Sequence, residues 1–115
     1  MLLKKRAGKA TRGDWAEEFY GRVLRQFPRS VYAYQGRADA YRANQEYEKA
    51  IRDFTTAVEL YAREPRLSLG RGKCYLAIGE MDCALADFRT IPVLTANTYL
   101  RRQAKELSAV SKDNE

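Results

Sequence analysis

Cys74 and Cys83 are the only thiols in a 115-residue chain that contains no histidine. A thiol nucleophile needs a base and a site for the developing oxyanion, and histidine is the usual base. With none present, the chain is not expected to be an enzyme. The two cysteines have no metal-ligand spacing with any other ligand residue, and two are too few for a disulfide framework. They read as reduced, partly buried, small apolar side chains. No cofactor or metal is implied.

The chemistry that remains is charge recognition. The formal charge is +6, and Lys4, Lys5, Arg6, Lys9 and Arg12 supply nearly all of the excess in a stretch without an acid. The rest of the chain is close to neutral, so the high isoelectric point describes the N-terminus and not the body. That weakens a nucleic-acid reading of the whole domain. Binding of nucleic acid or an anionic membrane by the basic stretch, with nearby tyrosines, remains the alternative. No run of about 18 apolar residues could span a membrane. Met1-Leu2-Leu3 precedes Lys4-Lys5-Arg6, the wrong order for a signal peptide. A single cytoplasmic domain over residues 1–115 is expected.

Helical patterning positions these charges, and no alternating strand pattern occurs. A first helix is expected over about Leu2 to Ala10, broken by Thr11-Arg12-Gly13. Asp14 is the expected N-cap of the second, with Glu17 three residues on as in a capping box. That helix carries Ala16, Phe19, Tyr20, Val23, Leu24 and Phe27 on one face and ends at Pro28. Ser30 caps a third helix, Val31 to Ala43, and Asn44-Gln45 is a turn. A fourth runs from Tyr47 to about Tyr61 or Arg63. Pro65 opens the fifth, and Gly79 ends it in left-handed geometry. A sixth, from Met81 to about Ile91, is cut short by Pro92. A seventh covers about Asn97 to Val110 with Leu100, Ala104 and Leu107 on one stripe, followed by a polar tail from Ser111 to Glu115.

The helices repeat. Gly36-Arg37-Ala38-Asp39-Ala40-Tyr41 returns as Gly70-Arg71-Gly72-Lys73-Cys74-Tyr75, 34 residues later, and Ala50-Ile51-Arg52-Asp53-Phe54 returns as Ala84-Leu85-Ala86-Asp87-Phe88. A fixed period of this length marks a repeat array. Tyr34, Arg37-Ala38, Tyr41, Ala50 and Phe54 fill one copy; Ser68, Arg71-Gly72, Tyr75, Ala84 and Phe88 fill the next. Ala16, Tyr20, Val23 and Pro28 match the second half of an earlier copy. This pattern resembles the tetratricopeptide repeat (TPR). The resemblance implies an all-α fold, a right-handed superhelical α-solenoid of antiparallel helix pairs with about seven helices. Residues 1–30 would be a degenerate first repeat, 31–64 and 65–98 full repeats, and 99–115 a capping helix and tail. Departures are Arg for Leu at 37 and 71, Ser68 for an aromatic, and Pro65 where the family places proline near Ala62, which implies a slightly long helix between copies.

In proteins of this family the first helix of each repeat lines a concave face that holds peptides. The residues left there after packing positions are removed are Tyr32, Gln35, Asp39 and Arg42 on one helix and Arg66, Leu69 and Lys73 on another, with Lys5 and Lys9 on the first. They make the chain a candidate scaffold or adaptor for a protein or peptide partner, with an acidic one among the candidates. Gly36 and Gly70 each cost about 1 kcal/mol in mid-helix, so a neighbouring helix or a ligand approaches closely there. One TPR subgroup clamps acidic chaperone tails with Lys, Asn and Arg. Lys5 could stand for one clamp lysine, but Gly36 and Gly70 occupy the other places, so the clamp is not intact. Self-association through the exposed N-terminal repeat face is a further expectation.

Overall fold

The computed structural model describes residues 11–113. Six helices follow one another: α1 (Arg12–Gln26), α2 (Val31–Ala43), α3 (Tyr47–Leu60), α4 (Pro65–Ala77), α5 (Met81–Leu94) and α6 (Thr98–Asp113). No strand occurs among the described residues. The expected first helix, with Lys5 and Lys9, lies outside them. Each helix packs on the next, as short connections require of antiparallel pairs. In addition the backbones of α2 and α4, and of α4 and α6, come together, whereas those of α1, α3 and α5 do not. The layer of α2, α4 and α6 is therefore the inner, concave side of a curved array.

The core is long and thin. Ala38, Tyr41, Ala50, Phe54, Ala57, Leu67 and Cys74 form one buried cluster. Leu69, Ala84, Phe88, Ile91, Leu100 and Ala104 form a second. Ala38, Ala50 and Ala84 have no exposed surface, so the small residues of the repeat stand where helices cross most closely. The described part measures 44 × 29 × 20 Å.

Two turns repeat as well. The Glu46 N–H donates to the Tyr41 carbonyl at 2.8 Å, and the Glu80 N–H to the Tyr75 carbonyl at 2.9 Å. Both are the long bond of a Schellman motif, which needs a left-handed residue just before the donor. Gly79 fills that place with φ 82°, and Gln45 fills it with φ 62°.

Several boundaries differ from the sequence expectation. Arg12 and Gly13 lie inside α1, and the helix expected to end at Thr11-Arg12-Gly13 falls outside the described residues. Thr11 is the N-cap of α1: its Oγ1 accepts from the Asp14 N–H at 3.1 Å, and the Asp14 carboxylate accepts from the Thr11 N–H at 2.8 Å. Threonine and aspartate three residues apart make the capping box three residues earlier than Asp14 and Glu17 suggested. Phe19 and Phe27 are 61% and 62% exposed, because Ala16 and not the phenylalanines is the buried apolar side chain of α1. α3 stops at Leu60 and is not long. Pro92 does not end α5, which runs to Leu94; proline removes one N–H, and a single lost bond one turn from the end is tolerated. Ser111 is not in a frayed tail. It is fully buried in α6, and its hydroxyl donates to the Leu107 carbonyl at 2.9 Å.

Candidate functional site

The concave residues come from α2 and α4 in matching registers. Tyr32 pairs in register with Arg66, Gln35 with Leu69, Gly36 with Gly70, and Asp39 with Lys73. The two glycines explain how closely the layers meet. A Cβ on Gly36 would run into the Tyr20 ring, and one on Gly70 would lie 2.5 Å from Phe54 Cζ. Tyr20 and Phe54 themselves occupy one register of the repeat. The close approach anticipated at both glycines is made by the aromatic of the preceding helix. That accounts for the glycines without a ligand.

The structure brings Asp39, Arg42 and Lys73 into one electrostatic cluster across α2 and α4. Burial raises the Asp39 carboxyl, opposed by the charges of Arg42 and then Lys73. Burial lowers Lys73, and repulsion by Arg42 lowers it further, with Asp39 opposing. Arg42 Nε is buried and has no hydrogen-bond partner. A buried N–H without a partner costs more than a made bond returns. The cluster therefore holds two cations against one carboxylate, with a donor unspent.

The remaining candidates are spread. Tyr32 is 82% exposed in the first turn of α2. Arg66 is exposed in the first turn of α4, and its Nη1 lies 3.9 Å from Glu64. Gln35 is half-buried. Leu69 is a correction: it is 6% exposed and belongs to the core with Ala84 and Phe88. It cannot anchor a ligand from the surface, because α5 and α6 cover the side of α4 that carries it. Cys74 is buried, and burial pushes its thiol up to about 11, so it is a core side chain and not a nucleophile at neutral pH. Cys83 is exposed. Among the described residues no group of His, Cys, Asp and Glu could hold a metal ion, and no helix is long and apolar enough to cross a membrane.

Two sets of contacts that hold the face in shape were not anticipated. Arg37 on α2 forms an ion pair with Asp53 on α3, and Arg71 on α4 does so with Asp87 on α5. The signal was present, since both the arginine and the aspartate recur at the 34-residue offset. At the first junction, the Tyr41 hydroxyl donates to Glu17 at 2.8 Å, and Lys49 Nζ lies 3.2 Å from the same carboxylate. Burial and then Glu17 push the Tyr41 phenol well above its ordinary value.

A family model described as tetratricopeptide repeat matches residues 5–53 and 35–98. The chain belongs to the tetratricopeptide repeat family. Over 63 residues this TPR chain is 36% identical to outer dynein arm-docking complex subunit 4 of Xenopus laevis. That match covers 54% of the chain and 12% of the relative, so the chain spans only a small part of it. Among solved structures it is similar to the Yersinia enterocolitica type III secretion chaperone SycD in complex with a peptide of the translocator YopD. The TM-score is 0.81 at 18% identity, over 88% of this chain and 80% of that one. It is also similar to PcrH in complex with the chaperone-binding region of PopD, with a TM-score of 0.74 at 18% identity, over 90% and 78% of the two chains. At these identities the likeness is one of fold.

Proposed function

We propose that this TPR chain is a non-catalytic protein-interaction module whose concave face holds a segment of a partner protein, and that an acidic side chain of that segment meets Arg42 and Lys73. The observation that carries the reading is the unpartnered Arg42 Nε beside a lysine that burial and repulsion disfavour. An arriving carboxylate supplies the missing acceptor and relieves the repulsion between the two cations. Tyr32 and Arg66, exposed on neighbouring helices of the inner layer, extend the face and are residue types that carry binding energy at interfaces. Two solved proteins of the same fold are described as bound to segments of their partners, which supports the general mode and not the particular residues.

The test is an affinity series against a partner isolated with the intact domain. Arg42→Glu and Lys73→Glu should each weaken binding by about tenfold, since each reverses a favourable charge. Lys4→Glu should matter little, and binding should survive moderate salt. Loss on Lys4→Glu alone, with a steep fall in salt, would move the site to the N-terminal basic stretch and to an anionic polymer or membrane. Light scattering on the free chain tests self-association through the N-terminal repeat face as a separate question.

A further inference from the structure

We infer that the groove between α5 and α6 is a second docking surface, which takes an acidic, amphipathic segment of a partner protein. The groove encloses about 580 Å³. Pro92 and Ala109 are the exposed apolar residues of its lining, above the core side chains Phe88 and Ala104, and its rim is Arg89, Arg101, Lys105 and Lys112. No acid lines it. It shares no residue with the cluster of Asp39, Arg42 and Lys73, so the inference stands apart from the concave-face reading.

The rim follows from spacing on α6. Arg101, Lys105, Ser108 and Lys112 are four, three and four residues apart, which places them on one stripe of a helix. Glu106 falls off that stripe, since each residue turns the helix by about 100°. Arg101 is held in place by the end of α5: its Nε donates to the Thr95 carbonyl at 2.6 Å and its Nη2 to the Pro92 carbonyl at 2.8 Å. Those acceptors are neutral, so its charge is not cancelled. Arg89, Lys105 and Lys112 take part in none of the ion pairs between described residues.

A solvated helix face needs only a polar surface, and mixed charges would provide one. A single sign is a costlier choice, because like charges four residues apart, as at Arg101 and Lys105, destabilise a helix. The excess of one sign around an apolar floor is complementary to a segment with acids flanking an apolar stripe. Alanine at the exposed position 109 leaves room for an apolar side chain of the occupant. A bilayer fits less well. Phe88 and Ala104 are 1% and 2% exposed, and the exposed apolar lining is Pro92 and Ala109, side chains too short to insert below headgroups.

The probe is a synthetic helix with leucine along one stripe and glutamate on both flanks, titrated into the isotopically labelled chain and followed by amide chemical shifts. Shifts should centre on Arg89, Ala104, Lys105 and Ser108. The joint change Lys105→Glu and Lys112→Glu, both at exposed positions, should weaken binding by at least about tenfold with an unchanged circular dichroism spectrum. Arg42→Glu with Lys73→Glu should leave this binding as it was, which separates the two surfaces. The same helix with lysine for glutamate should not bind. Absence of binding, equal binding of the lysine helix, or shifts confined to α2 and α4 would overturn the inference. So would anionic vesicles that bind through Lys105 and Lys112 while the peptide is inert, since the occupant would then be a membrane.

Discussion

Arg37 holds Asp53 side-on through two parallel bonds, Nε to Oδ2 at 2.7 Å and Nη2 to Oδ1 at 2.8 Å. The same fork recurs between Arg71 and Asp87 at 2.9 and 2.8 Å. In each case the arginine is on the first helix of a pair and the aspartate on the second. The hydrogen bonds to the aspartates raise both guanidiniums above their ordinary values against the opposing effect of burial. The arginines that depart from the family's leucine are thus half of a repeated tie between paired helices. Asp53→Asn and Asp87→Asn should each cost about 2 kcal/mol, the range for hydrogen bonds to a charged partner. Arg71→Lys should also destabilise, because an ammonium has no fork. Arg37→Leu alone leaves Asp53 without its cation, and adding Asp53→Ala should return most of the loss. A double-mutant cycle by urea melts measures this; strictly additive costs would mean the pair is not coupled.

Gln45 and Gly79 occupy the same place in successive turns, yet only one is glycine. A left-handed backbone crowds Cβ in every residue except glycine. Gln45→Gly should therefore stabilise the fold by about 0.5 kcal/mol, the steric relief being partly offset by the freer unfolded chain. Gly79→Ala should destabilise it by about 1 kcal/mol. Thermal melts of both variants give the comparison. A Gln45→Gly protein less stable than the parent would mean that the glutamine side chain holds the turn in some other way.

The fold was legible because the period and the small residues point to one answer. Ala50, Ala84, Ala38 and Gly72 could be placed at helix crossings from type and offset alone, and all are buried. The site was less legible because register gives the angle of a side chain on its helix and not what covers it. Leu69 shares its register with the half-buried Gln35, but α5 and α6 close over the later copy. Phe19 matched an apolar stripe and is 61% exposed, which the stripe alone did not reveal. The meeting of Asp39, Arg42 and Lys73 depends on α2 and α4 lying side by side, a contact between non-consecutive helices that local pattern does not encode.

The concave cluster should register in the pH dependence of stability. Lys73 titrates below its ordinary 10.5 in the folded chain. Between the folded value and 10.5 the unfolded chain holds the extra proton, so stability rises with pH through that window. Asp39 titrates above its ordinary 3.8. Between 3.8 and the folded value the folded chain holds the extra proton, so stability falls as pH rises through that range. Relative to the parent, Lys73→Gln should flatten the alkaline side of a plot of urea midpoint against pH. Asp39→Asn should flatten the acid side. Superimposable curves for parent and variants would mean that neither group is perturbed by the fold.

Ala50 and Ala84 stand at one register, fully buried where the second helix of each pair meets its neighbours. Leucine at either position would add volume to a site with no free space, forcing side chains off their rotamers or the backbones apart. The expected loss is about 1–3 kcal/mol for each. Glu48, two residues before Ala50, is exposed in the first turn of α3. Glu48→Lys removes an acid that favours a helix N-terminus, an exposed effect of about 0.3–1 kcal/mol. The two classes of change therefore differ by the packing term and not by proximity in sequence. Urea unfolding of Ala50→Leu, Ala84→Leu and Glu48→Lys at one pH makes the comparison directly. Equal losses at positions 48 and 50 would place the helix crossing elsewhere, and with it the register that brings Asp39, Arg42 and Lys73 together.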